Sequence, residues 1–164
     1  MDLLNRNFYK ELHEDWALLT AGSMAHYNTM TIGWGGVGCL WGKPTATVYV
    51  RPNRYTYEFM EDSDFFTVSF YPAAQHEALK LLGRTSGRDG DKVQAAGLHP
   101  SAMGDGVTFR EARLTLLCRK LYQQDLDAAA MDAQCRERYY GPENPVHRMY
   151  IGEILEIRSE EDAK

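Results

Sequence analysis

Cysteine is scarce in this 164-residue chain, and the little there is has no pattern. Cys39, Cys118 and Cys135 are odd in number and far apart, with no C-x-x-C among them. That argues against a disulfide framework and against a zinc site. His13, His26, His76 and His99 are too scattered to read as ligands, so no metal is expected. Long apolar runs are also missing: none approaches the roughly 18 residues of a membrane span, and no membrane association is expected. The opening residues "MDLLNRNFYKELHEDW" lack the basic flank, apolar stretch and small-residue cleavage site of a secretory leader. The expected location is the cytoplasm. Positive charge is in deficit, with 18 Lys and Arg against 23 Asp and Glu and a net charge of -5. Binding a phosphate backbone demands an extended cationic surface, so nucleic acid is not an expected partner.

What the chain does have is the composition of a packed globule, 44% hydrophobic and 12% aromatic. Its length suits one domain spanning 1–164, without repeat, low-complexity tract or linker. Five glycines crowd the stretch "TIGWGGVGCLWGKP", at 33, 35, 36, 38 and 42, and residues 33–38 spell G-x-G-x-x-G. A dinucleotide loop of that pattern follows a strand, opens a helix and meets an acid about 20 residues on. Here Gly42 and Pro44 leave no uninterrupted helix, and the nearest acid past the turn-like "RPNR" (51–54) is Glu58. The glycines therefore need another explanation: relief of crowding where strands bend, or close approach of a ligand to the backbone.

Six windows combine β-branched, aromatic and aliphatic residues: 16–22, 29–34, 45–51, 64–71, 112–122 and 147–157. Shorter helical patterns lie at 54–60, 73–82 and 91–96, the last capped by Asp91 and stopped by Gly97. Long helices do not alternate with the strands. The expected architecture is mainly β with peripheral helices: a split β-barrel, mostly antiparallel and Greek-key-like. In the last strand Met149, Ile151, Leu155 and Ile157 form an apolar face, opposite Arg148, Tyr150, Ile154, Glu156 and Arg158, with Glu153 interrupting the apolar side. Segment 123–146 reads as a short surface helix followed by a proline-bounded loop, a lid or a subunit contact.

Two loops, "RPNR" (51–54) and "GRTSGRDGDK" (83–92), gather positive charge, hydroxyls and glycine in an otherwise acidic chain. That suits a pocket for a small anion such as a phosphate, or two solvated loops.

Taken in order, "YNTMTIGWGG" (27–36), "KPTATVYVRPNRYTYEFME" (43–61), "DFFTVSF" (64–70), "SGRDGDKVQAAGL" (86–98), "ARLTLLCRKLY" (112–122) and "HRMYIGEI" (147–154) resemble the flavin reductase and flavoredoxin family. The resemblance covers most of residues 16–157. It implies an FMN-binding split barrel, a homodimer with the flavin near the subunit interface, and redox activity. FMN needs fixed donors for its phosphate, flat apolar contacts for its ring and hydrogen bonds for its polar edge. The resemblance carries Arg51, Thr56, Ser86 and Lys92 over as cofactor-binding positions, with Arg54 and Arg88 beside them, and Tyr55 adds a hydroxyl or a backbone amide. Asn28, Thr29, Met30 and Thr31 occupy the family's ring-lining segment, and Trp34 offers an aromatic surface. Met30 and Trp34 also fit an ordinary barrel core.

Two-component flavin reductases often carry Gly-Asp-His, with a glycine five residues after the histidine. His147 and Gly152 keep that spacing, but Pro145 and Val146 replace the Gly-Asp. His147 is the candidate catalytic residue, with a structural imidazole as the alternative. The functional expectation is an FMN-dependent oxidoreductase that takes up reducing equivalents, from NAD(P)H or otherwise, and passes them to an acceptor. The alternative is a flavoredoxin-like electron carrier reduced by a redox partner protein. Cys118 reads as a small buried residue, and Cys39 beside the glycines stays open.

Overall fold

The computed structural model describes residues 6–160. Strands β1 (Ala17–Ser23), β2 (His26–Ile32), β3 (Gly35–Leu40), β4 (Lys43–Val50), β5 (Phe65–Phe70), β8 (Leu114–Asp125) and β9 (Arg148–Ser159) form one seven-stranded sheet. Its order is β2-β1-β5-β8-β9-β4-β3, and every pairing is antiparallel. Only Gly33 and Trp34 separate β2 at one edge from β3 at the other. Two residues span less than about 12 Å, so the sheet must curl until its edges nearly meet. The result is a split barrel, open along the β2/β3 seam.

A hairpin of β6 (Pro100–Met103) and β7 (Gly106–Phe109) covers the outside of β1 and β5. Helices α1 (Phe8–His13), α2 (Tyr55–Asp62), α3 (His76–Arg84), α4 (Lys92–Ala95) and α5 (Ala133–Tyr139) lie at the periphery. Strand β1 is buried on both faces, which is why its sequence runs apolar instead of alternating. Leu19 and Ala21 face the barrel interior with Phe66, Val68, Leu116 and Tyr150. Leu18 faces a second cluster with Leu79, Leu82, Val93 and Phe109 beneath α3 and α4.

All six anticipated strands form, but β3 and the β6/β7 hairpin were not anticipated. The glycine-rich stretch is an edge strand rather than a bend, with Gly35 opposite Val48 and Gly38 opposite Thr45. The face assignment in β9 is corrected as well. The buried side is Tyr150, Gly152 and Ile154, while Met149 and Ile151 are half-exposed and Leu155 exposed. A bulge opposite Leu117/Cys118 then shifts the register and turns Ile157 back onto the core. Glu153 sits outside, accepting from Lys43 Nζ at 2.7 Å and Arg119 Nη2 at 2.9 Å.

Gly152 is buried because Phe66 occupies the place of its side chain: an added Cβ would lie 2.7 Å from the Phe66 ring and 2.8 Å from Cys118 Cβ. Gly152→Ala is expected to destabilise the fold by about 1–3 kcal/mol through overpacking. Chemical denaturation checks this, and an unchanged midpoint would show that Phe66 is free to move.

Candidate functional site

The seam between β2 and β3 carries the site. Strand β2 brings Asn28, Met30 and Thr31 to it, and α3 fixes the opposite wall. Thr31 Oγ1 donates to Leu79 O at 2.5 Å, and Gly83 lets the helix approach, since a Cβ there would sit 3.2 Å from Thr31 Cβ. The end of α3 therefore delivers Arg84, Thr85 and Ser86 beside β2. From the other side the turn after β4 delivers Asn53 and Arg54 and starts α2. Asn28 Nδ2 donates to buried Thr56 Oγ1 at 2.8 Å and pins that helix start to β2.

These elements enclose a cavity of about 200 Å³ whose charged lining, among the described residues, is Arg54, Arg84 and Lys92, with no carboxylate. Lys92 is the informative member. Asp91 caps α4 by accepting from Gln94 N at 2.9 Å, and the helix start turns the Lys92 side chain inward until only 6% remains exposed. Its Nζ donates to Thr85 O at 3.1 Å and Leu82 O at 3.3 Å. Among the described residues no carboxylate pairs with it. Burial therefore lowers its pKa to about 8. A buried cation without a counter-charge, in an acid-free cavity, is what a fixed anion site requires.

Met30, Thr31 and Arg54 also line an adjacent cavity of about 330 Å³, together with Ile32, Gly33, Trp34, Tyr49, Arg51, Asn144 and His147. Its lining mixes the rings of Trp34, Tyr49 and His147 with aliphatic groups and the cations Arg51 and Arg54. Trp34 is 42% exposed and stands at 5.1 Å from the rings of both Tyr139 and His147. Arg51 Nε donates to His147 Nε2 at 3.3 Å. A neutral imidazole so engaged carries its proton on Nδ1, which donates to the Tyr140 hydroxyl at 3.0 Å. Burial, then the charges of Arg51 and Arg54, hold the His147 pKa down to about 4. The ring is thus neutral in the folded protein, whereas an unfolded histidine titrates near 6.5. Between those values the unfolded chain binds the extra proton, so His147 lends stability that is lost as pH falls from 6.5 towards 4. His147→Gln should flatten the acid limb of a melting-temperature profile over that window. An identical limb in the variant would contradict the assignment.

Of the residues singled out in the sequence, Asn28, Tyr55, Thr56, Ser86 and Lys92 line the smaller cavity, and Trp34, Arg51 and His147 the larger. Met30, Thr31 and Arg54 line both. Asn28 lines the smaller cavity and not the larger, and Arg51 the reverse. Thr29 and Arg88 line neither. Thr29 Oγ1 is buried against Thr20 Oγ1 at 2.8 Å, and Arg88 pairs with Glu58 above the Tyr55 ring. Sequence reasoning missed Arg84, Asn53, Tyr49, Tyr139, Tyr140 and Asn144. Arg84 belongs to the cationic stretch 83–92 and was within reach, whereas no periodicity marks Tyr139 to Asn144. Cys118 is fully buried and its thiol pKa raised by burial, while Cys39 and Cys135 are exposed. Among the described residues no group fits a metal ion, and no helix is long and apolar enough to cross a membrane.

A curled antiparallel sheet of this order, with two adjacent cavities along its seam, is a split barrel. The chain belongs to the flavin reductase like domain family, whose model matches residues 10–164. Solved structures agree on the fold. Flavoredoxin from Methanosarcina acetivorans is 22% identical with a TM-score of 0.71, covering 90% of this chain and 69% of that one. Flavoredoxin of Desulfovibrio vulgaris (Miyazaki F) is 20% identical at 0.69, covering 99% and 77%. An FMN-binding protein from Thermus thermophilus, with bound p-hydroxybenzaldehyde, is 20% identical at 0.72, covering 94% and 77%. No curated protein sequence matches the chain.

Proposed function

We propose that this chain is an FMN-binding oxidoreductase that takes up reducing equivalents on the flavin and passes them to an acceptor. The observation that carries the reading is a pair of adjacent cavities sharing Met30, Thr31 and Arg54, one lined by Lys92, Arg54 and Arg84, the other by Trp34, Tyr49, Arg51 and His147. The donor set fits FMN. Lys92, Arg54 and Arg84 hold the phosphate, with Ser86, Thr56 and the amides at the start of α2 beside them. Met30, Thr31 and Trp34 would contact the ring, with Arg51 and His147 lining the same cavity. Bound FMN supplies one- and two-electron transfer. The chain contributes position, shielding from water and a fixed positive charge.

A second reading, a flavoredoxin-like carrier reduced by a partner protein, is favoured by two observations. Both His147 ring nitrogens are already engaged, by Arg51 and Tyr140, and Pro145 and Val146 stand where reductases carry Gly-Asp. Anaerobic mixing of the FMN-loaded protein with NADH or NADPH separates the two. Rapid bleaching of the visible band supports the reductase, and bleaching only by a reduced carrier protein supports the second reading. Bound flavin that neither reduces would sink both.

We place a homodimer in the same reading. Trp34 and Trp41, 42% and 63% exposed, flank β3, where Gly36 and Gly38 leave open space above the backbone. A second copy would cover that apolar edge.

A further inference from the structure

We propose that Arg51 is a positioning residue that latches segment 139–147 over the ring cavity, and that the latched segment limits the size of the second substrate. The second clause rests on the flavin reading above; the latch itself does not.

The middle of the segment has little else to hold it, between half-buried residues 139–140 and 145–146 and buried His147. Helix α5 buries no side chain, and Gly141, Pro142, Glu143 and Asn144 are all exposed. Segments with so few apolar contacts open easily unless polar contacts restrain them. Gly141 and Asn144 close a tight turn by reciprocal backbone hydrogen bonds of 3.0 Å. Arg51 grips that turn from both sides: Nη1 donates to Asn144 Oδ1 at 2.6 Å and Nη2 to Tyr139 O at 3.0 Å. Nε reaches His147 at 3.3 Å, and the guanidinium lies 5.5 Å from the Tyr140 ring centroid. Tyr139 is thereby held edge-on at 5.1 Å against Trp34, which lines the ring cavity. With its donors so directed, and outside the lining of the cationic cavity, Arg51 acts on the segment rather than on the phosphate.

The three-pronged geometry makes the inference testable, because a lysine keeps the charge but cannot reproduce the grip. The first readout is tryptic cleavage after Arg136 and Arg138 of α5, measured on flavin-free protein and so independent of flavin uptake. Arg51→Ala and Arg51→Lys should both accelerate it at least about tenfold, and Asn144→Ala, which leaves the barrel untouched, about threefold or more. The second is reoxidation of FMN-loaded protein pre-reduced with dithionite. In Asn144→Ala, the rate of menadione relative to that of 1,4-benzoquinone should rise at least about threefold over wild type. Cleavage within twofold of wild type in Asn144→Ala, or full protection restored in Arg51→Lys, overturns the latch. Equal acceleration of the two quinones overturns the size limit.

Discussion

FMN affinity is expected to fall about 10- to 100-fold in Lys92→Ala, the range set by one charge-assisted contact to a phosphate. The pH dependence is the sharper part of this prediction. In the flavin-free protein burial sets the Lys92 pKa to about 8, against 10.5 for an exposed lysine. Binding a dianion favours the ammonium, so above pH 8 the complex must take up a proton and affinity should decline with each further pH unit. Stability of the flavin-free chain runs the other way. Between 8 and 10.5 the unfolded chain holds a proton that the folded chain lacks, so stability should rise with pH across that window. Lys92→Ala should abolish both trends in isothermal titration and thermal melts. A variant with wild-type affinity, or with an unchanged alkaline decline, would remove Lys92 from the site.

Gly87→Val is expected to weaken FMN binding at least about tenfold with little loss of fold stability. Gly87 lines the cationic cavity, and an added Cβ would fall 2.3 Å from Asn28 Oδ1 and 3.1 Å from Tyr55 Cδ1. Asn28 cannot swing aside cheaply, because it is buried and its amide is bound to Thr56. The loop carrying Ser86 must move instead, outward and away from the phosphate position. That loop is only partly buried, so the strain should appear in affinity rather than in the melting temperature. A variant that binds FMN normally would show that the loop does not shape the cavity.

Strands rich in β-branched and aromatic residues were legible in the sequence because their composition states their role. Strand β3 was not, because Gly35, Gly36 and Gly38 have low strand propensity and form a strand only through pairing with β4. The apolar face of β9 was misread for a related reason. Gly152 contributes nothing to a hydrophobic pattern yet is buried under Phe66, and the bulge beyond it breaks the two-residue period. Chemistry at the site was legible by residue type: cations and hydroxyls in 51–56 and 83–92, and flat or flexible apolar groups in 28–34. Which residue faces which cavity was not. Asn28 turns to Thr56 and Arg51 to Asn144, partners 28 and 93 positions away in the chain that no local pattern encodes.

One titration bears on the account more directly than any other. Flavin-free protein, prepared by denaturant washing and refolding, is titrated into FMN at pH 7 while the flavin fluorescence is followed. One FMN per chain should bind saturably, and riboflavin, which lacks the phosphate, should bind at least about tenfold more weakly. Folded protein that leaves the fluorescence of FMN unchanged, or that binds riboflavin equally well, would contradict a site built around Lys92, Arg54 and Arg84.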